Sequence, residues 1–489
     1  MQKYISKLSK EYGSRTVGVR VCLFRALLLL APFSLIPYIS MPSFGFASFR
    51  IGLYQVLLAV FVAMSLPSIW AGRRKLEASS SVSFYSLVAL GVLALASLVK
   101  AIDKPRSILL VASLGLLLGA VLSSWSLVLK YGKKVLPNTD LILKFGVGYG
   151  AVSLLQLGIA TFSPANILLC QGCKSDVFGF ARVNGFALEP QFWANALLPF
   201  FAYALVLFYA KRTRLSAVSL CVTLFGMMLT FSRGAFIAVA VALLVFVTML
   251  IRQKAVRGSA LIQSMLVVIT AFVVGFVVLV GASSVKYSNS PNIAYNTARG
   301  MIEQLSLGRI SLPKIIDTPE PLKQAEVPTS SVETTQKVET PTNQGVVEAS
   351  QQDRVGPAKT ALNVWRGSLR NMVLGVGYGN FAPFVQKNVD AGSPLTLTVY
   401  IFYILLLVES GLVGVTLFLL PYAVVLKRIV SDSTIEARVL LVVLSAFLVQ
   451  YLFFGSYINS SYIWLWLGIG LGLRGAINKG SAKGARDSK

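Results

Sequence analysis

The sequence predicts an all-α polytopic membrane protein of about 12 transmembrane helices with one large segment outside the membrane. Three observations predict it. Of 489 residues, 55% are hydrophobic and only 13% charged, with a mean hydropathy of +0.71, a balance that rules out a soluble globular domain. The apolar residues fall in runs of roughly 20, the length that crosses the hydrocarbon of a bilayer as a helix. The lysines and arginines behind the formal charge of +26 sit in short clusters between those runs, as in loops on the cytoplasmic side of a membrane. That placement argues against nucleic acid as a partner.

The first run follows Lys3, Lys7, Lys10, Arg15, Arg20 and Arg25 and lacks a small-residue cleavage site, so it is expected to stay as an anchor. Spans are expected at about residues 22–40, 52–71, 82–100, 107–129, 141–163, 188–210, 215–232, 234–251 and 264–285, then at 411–427, 437–455 and 460–474. With a cytoplasmic N-terminus, even-numbered spans end at Arg73, Arg74 and Lys75, at Lys130, Lys133 and Lys134, at Lys211, Arg212 and Arg214, and at Arg252, Lys254 and Arg257. Each cluster then lies inside, as the charge bias requires.

The chain divides into an N-terminal membrane domain of about nine spans (1–285), a large outer segment (286–410), and C-terminal membrane helices with a basic cytoplasmic tail (411–489). Residues 395–408 are apolar, but a crossing there would carry Lys427, Arg428 and the tail outside. This ramp is therefore expected to lie on or dip into the outer face. Residues 319–350, rich in Pro, Thr, Glu and Gln, cannot bury enough apolar area to offset ordering entropy, and are expected to be disordered.

Histidine is absent, so acid–base work falls to carboxylate, tyrosine or lysine. Cys22 and Cys221 lie in apolar runs, as packing residues do. Cys170 and Cys173 form a C-x-x-C in an outer loop without further metal ligands; a local disulfide is favoured over free thiols, and no metal or cofactor is expected.

Two spans meet at Ser232-Arg233-Gly234 with no loop between them, which sets a guanidinium at the membrane surface. Such a residue is either an anion ligand, its fixed fork of donors suiting a diphosphate, or an arginine snorkelling to lipid phosphates. Arg182 and Glu189 flank Val-Asn-Gly-Phe-Ala-Leu just before a span: either an ordinary helix start with a favourable negative charge, or a second phosphate contact and a base. Arg354, Arg366 and Arg370 flank a pattern that sets Ala361, Leu362, Trp365 and Leu369 on one helical face, with Arg366 and Arg370 one turn apart. Arg354 is the better ligand of the three. Gly375-Val-Gly-Tyr-Gly379 is a glycine turn that brings backbone close to another helix or to a ligand, and Glu409 before Ser410-Gly411 either caps a membrane helix or serves the site. Tyr400 on the ramp offers a hydroxyl at the interface, where aromatic anchoring is its alternative duty.

Taken together and in order, Arg-x-x-Gly-x-x-x-Glu-Pro before a span, Ser-Arg-Gly at a span junction, Gly-Val-Gly-Tyr-Gly-Asn-Phe after a Trp helix, and Leu-x-x-Glu-Ser-Gly-Leu-x-Gly resemble the O-antigen polymerase and ligase superfamily. The resemblance covers about residues 140–420. It implies a C-type glycosyltransferase fold in a bacterial inner membrane, both termini cytoplasmic, with an undecaprenyl-diphosphate-linked oligosaccharide as substrate at the periplasmic face and membrane lipid around it. It also allows a chain-length regulator as a partner. By the same resemblance Arg233 and Arg354 match arginines aimed at the lipid diphosphate, with Arg182, Arg366 and Arg370 as further binding candidates. Glu189, Glu409 and Tyr400 are the catalytic candidates. The superfamily's ligases carry a histidine near the place of Tyr400; its absence here favours a polymerase over a ligase. A transporter or flippase is the third expectation, disfavoured because the ionisable residues gather at one face rather than at the midplane. The sidedness is checked directly: in a background with the native cysteines replaced, a cysteine at Asn343 is expected to react with a membrane-impermeant maleimide from the outer face, and protection there reverses the orientation.

Overall fold

The structure, a computed structural model, describes residues 11–33, 38–40, 50–72, 78–162, 176–177, 180–187, 189–286, 292–306, 310, 312–313, 315, 346–394, 397, 399–455 and 460–484. It is an all-α polytopic membrane protein: among these residues, eight helices are long and apolar enough to cross a bilayer. Cys170 and Cys173 lie outside the described residues.

The N-terminal helices are α1 (Arg15–Leu29), α2 (Leu53–Gly72), α3 (Ala78–Ser97), α4 (Lys104–Tyr131), α5 (Thr139–Phe162), α6 (Pro190–Lys211), α7 (Arg214–Met228), α8 (Arg233–Arg252) and α9 (Gly258–Lys286). Each expected span of this half meets one of them, and the first is corrected. Helix α1 ends at Leu29 rather than near residue 40, because Pro32 lies in a 3-10 turn (Ala31–Phe33) and cannot donate to a continuing helix. The chain then enters β1 (Tyr38–Ser40), paired antiparallel with β2 (Arg50–Gly52).

Helix α6 is the hub. Apolar around its whole circumference, it is buried from Phe192 to Tyr209, as a helix without a polar face must be. Helices α5, α7 and α8 pack around it, together with α15 (Ile435–Gln450). Helices α2, α3 and α9 instead expose Val56, Leu66, Val92, Leu95, Ile262 and Val277, the surface a lipid tail covers. Helix α16 (Ser461–Gly484) runs along α4, where Gly468 and Gly472 let the backbones close: a Cβ at Gly472 would lie 2.9 Å from the Trp125 carbonyl.

The described basic clusters gather at one end of the bundle, while Arg73, Arg74 and Lys75 lie outside the described residues. There the Arg25 Nη2 donates to the Lys134 carbonyl (2.6 Å), Lys133 pairs with Glu436 (3.9 Å), Arg212 donates to Ser259 Oγ (3.0 Å), and Gln253 donates to the Asp432 carbonyl (2.8 Å). At the opposite end stand α10 (Ile293–Leu305), α11 (Val346–Arg366), α12 (Leu369–Leu374), α13 (Phe381–Asn388) and the start of α14 (Phe402–Ile429). A second apolar cluster joins Ala358, Ala361, Val364, Phe381, Val385, Val399 and Val408 there.

Two expectations about this segment are corrected. Helix α11 begins at Val346, so the end of the stretch expected to be disordered is helical, while residues 316–345 lie outside the described residues. Helix α11 also stops at Arg366. Ser368 Oγ accepts from the Asn371 N–H (3.1 Å) and caps a new helix, so Arg366 and Arg370 stand on either side of a break and Leu369 is 76% exposed. The end of the apolar ramp, from Phe402, forms the first two turns of α14, joined to the remainder through a kink at Gly411 (φ 64°, ψ −169°). Gly411 seats on the carbonyl of Val373, and Gly375 (φ 73°) on the Glu409–Ser410 peptide.

Gly411→Ala is expected to lower the thermal unfolding midpoint of the detergent-purified protein: the glycine-only backbone region costs an alanine about 1–3 kcal/mol, and its methyl would run into Val373. Gly356→Ala, in open space on α11, is expected to leave the midpoint unchanged or raise it.

Candidate functional site

At the end opposite the Lys133–Glu436 pair, three turns meet, carried by residues 180–187 with 189, 229–233 and 451–455. The first delivers Arg182. A short hairpin of β3 (Asp176–Val177) and β4 (Phe180–Ala181) leads into it. The Arg182 Nε donates to the Thr230 carbonyl (2.9 Å), and the Val183 N–H to the Leu229 carbonyl (3.2 Å). Behind Arg182 the chain dips into the bundle at Asn184-Gly185, where it has no helical partner. The side-chain amide of Gln156 on α5 supplies both bonds, donating to the Gly185 carbonyl (3.1 Å) and accepting its N–H (2.9 Å). Asn184 donates to the Ala187 carbonyl (2.6 Å), and Gly185 (φ 53°) lies flush on the Trp193 ring, itself anchored through Nε1 to Ser153 Oγ (2.8 Å). This explains the Arg-x-x-Gly spacing: the glycine lets the turn seat on α6, and the arginine three residues earlier is fixed against the next turn.

The second turn carries Arg233. Helix α7 is closed by Thr230 Oγ1, which donates to the Met227 carbonyl (2.7 Å) and accepts the Ser232 N–H (3.2 Å). Phe231 between them is buried in the left-handed region (φ 47°), a conformation that costs a bulky residue on the order of 1–2 kcal/mol. It reverses the chain in one step, so Arg233 is the first residue of α8 and its side chain is half-buried. Gly234 admits the third turn: a Cβ there would lie 2.9 Å from Phe453 Cβ.

Glu189 is exposed at the extended residue before Pro190 (φ −133°, ψ 147°), and its carbonyl accepts the N–H groups of Phe192 and Trp193. One residue into α6, Gln191 Nε2 donates to the Phe453 carbonyl (2.9 Å). Arg182, Arg233 and Glu189 are thus brought together through backbone they share, beside the N-termini of α6 and α8, whose free N–H groups and dipoles favour an anion. Tyr400 belongs to the same neighbourhood by its backbone: Gly455 packs on Val399 and Tyr400, and the Phe402 N–H donates to the Tyr451 carbonyl (3.0 Å). Its own side chain is 44% exposed.

Glu409 sits in a second cluster. Its carbonyl accepts the Gly377 N–H (2.9 Å), the Val408 carbonyl accepts that of Val376 (2.9 Å), and its buried carboxylate accepts the backbone N–H groups of Gly379 and Phe381 with the Arg106 guanidinium close by. It therefore caps α13, not α14, the membrane helix in which it lies just before the kink at Gly411. The glycine loop is clasped on its other side by the α3–α4 turn: the Tyr378 N–H donates to Ser97 Oγ (3.2 Å), and Asn380 Oδ1 accepts from the Ile102 N–H (3.0 Å). Burial pushes the Tyr378 phenol well above its ordinary range, so it stays protonated. Arg366 and Arg370 are exposed on either side of the α11–α12 break, and Arg354 lies in α11 with a side chain outside the described residues.

The turns that carry Arg182, Arg233 and Glu189 are neighbours, and the N-termini of α6 and α8 lie among them. Sequence reasoning missed Gln156, Thr230, Gln191 and Arg106. Glutamine in an apolar run was the legible signal for Gln156; the contact of Thr230 with Arg182 is through its backbone carbonyl, which leaves none. A scan against protein-family models and a search of curated proteins return no match for this chain.

Gln156→Leu is expected to strand the buried N–H and carbonyl of Gly185. At about 1–3 kcal/mol for each unpaired buried group, the thermal midpoint should drop measurably. A wild-type midpoint would show that the loop is held by other means.

Proposed function

We propose that this protein is an inner-membrane polysaccharide polymerase of the O-antigen polymerase and ligase type, working at the periplasmic face. The observation that carries the reading is the meeting of Arg182, Arg233 and Glu189 at the bundle end opposite the lysine clusters. With the lysine-rich end in the cytoplasm, this site faces outward, where polyprenyl-diphosphate-linked glycans are presented. A hydroxyl of the acceptor sugar attacks the anomeric carbon of the donor glycan. The bond from that carbon to the diphosphate oxygen breaks, and the lipid diphosphate leaves with the electron pair. Arg182 and Arg233 stabilise the charge growing on the leaving oxygen, the usual work of preorganised donors in a site of this kind. Glu189 takes the hydroxyl proton. Glu409, occupied with α13, positions the outer helices and does not touch the reacting atoms.

The test combines a deletion strain with one substitution. Deletion is expected to abolish long-chain polysaccharide while single repeat units still reach their acceptor; an acceptor left wholly bare would point to ligation. Arg233→Lys keeps the charge and loses the fork of donors, and is expected to cut polymerisation by roughly a hundredfold or more at a wild-type level of folded protein. Full activity of that variant would remove Arg233 from the site.

A further inference from the structure

The lysine-rich end contains a cavity of about 980 Å³ between α1, the α4–α5 turn, α6 and the first turn of α15. It lies at the end of the bundle opposite the Arg182–Arg233 turn, between α1 and α5. Helix α1 packs on α2 instead of along α5, and its end is tied to α5 where the Tyr149 hydroxyl donates to the Leu29 carbonyl (2.8 Å). Below that tie the two helices stand apart. The inner wall is apolar, built from Ala26, Leu29, Leu30, Leu136 and Phe145.

The mouth is cationic. Arg25, Lys133, Lys134 and Lys144 line it against Asp140 and Glu436, so four positive groups face two negative ones. Lys133 is the partner of Glu436, and Arg25 is held in place by the carbonyls of Lys134 (2.6 Å) and Val135 (3.2 Å). Lys144 is exposed one turn into α5, and its long side chain can snorkel toward a lipid phosphate.

We infer that this cavity binds an anionic glycerophospholipid, its phosphate among Arg25, Lys134 and Lys144 and the upper part of an acyl chain along Ala26, Leu30 and Phe145. The occupant follows from the shape of the charge. A small soluble anion would satisfy the mouth and leave the apolar wall wet, whereas a zwitterionic lipid would fill the wall and bring a cation to a cationic rim. Only a molecule charged at one end and apolar along the rest complements both, as basic pockets between membrane helices do for acidic head groups. This site is separate from the transfer reaction and stands whatever that reaction is.

The test measures lipid retention by native mass spectrometry and thermal shift on the full-length protein in detergent, titrated in parallel with phosphatidylglycerol, phosphatidylcholine and inorganic phosphate. Phosphatidylglycerol is expected to stay bound and raise the midpoint, with phosphatidylcholine weaker and inorganic phosphate without effect. The double variant Arg25→Gln, Lys144→Gln is expected to weaken phosphatidylglycerol binding roughly tenfold or more. Ala26→Trp, which fills the apolar wall and leaves every charge in place, is expected to do the same. Lys144→Gln alone lies on the exposed rim and serves if either of the others fails to fold. Equal retention of the two lipids, a full effect from inorganic phosphate, or wild-type binding by the folded variants would overturn the proposal.

Discussion

A chain inside hydrocarbon has to satisfy its backbone from within itself. Helices do this unaided, but each place where this protein leaves helical geometry exposes N–H and carbonyl groups that need another partner. At the site end the partners are side chains with both donor and acceptor or with several donors. Gln156 serves Gly185, Asn184 serves Ala187, Gln191 serves Phe453, Arg182 serves Thr230, and Asn380 serves Ile102. These bonds decide which turns touch, and so which guanidinium and carboxylate groups end up as neighbours.

The hub helix sets the other half of the geometry. Because α6 is apolar on all sides it must run through the middle of the bundle, and the only part of it that reaches solvent at this end is the Glu189–Gln191 start. The reversal at Phe231 then lays the head of α8 beside it. Two helix N-termini face the same small region, and an arginine from each of two turns is attached there. Phe231, held in a left-handed conformation that a phenylalanine adopts only under constraint, accepts strain in exchange for a junction without a loop.

Hydropathy alone found the eight helices that are long and apolar enough to cross a bilayer, since a run of about 20 apolar residues has few alternatives. The first expected span runs too far because Pro32 sits inside its apolar run, and the span expected at 411–427 begins nine residues earlier, at Phe402. Arg233 was legible for a similar reason: a charge at the seam of two apolar spans stands out. The partition of the carboxylates was not. Glu189 and Glu409 both precede membrane helices in the sequence, yet one is exposed at the arginine turn and the other is buried under Gly379 and Phe381. That difference depends on a loop some thirty residues away docking between two other elements, which local pattern does not encode. The break at Gly367-Ser368 was readable as turn and cap chemistry, but the helical spacing of Trp365 and Leu369 masked it.

The turn behind Arg182 has one more consequence, for the chemical ageing of the protein. An asparagine followed by glycine is prone to cyclise: the glycine nitrogen attacks the side-chain carbonyl, ammonia leaves, and the succinimide reopens to aspartate or isoaspartate. At Asn184-Gly185 that nitrogen gives its hydrogen to Gln156 while the asparagine amide is committed to Ala187. Attacker and target are each held by another partner in a dry setting, so the folded molecule preserves the pair, and damage at this point accumulates in whatever fraction of the chain has lost its shape.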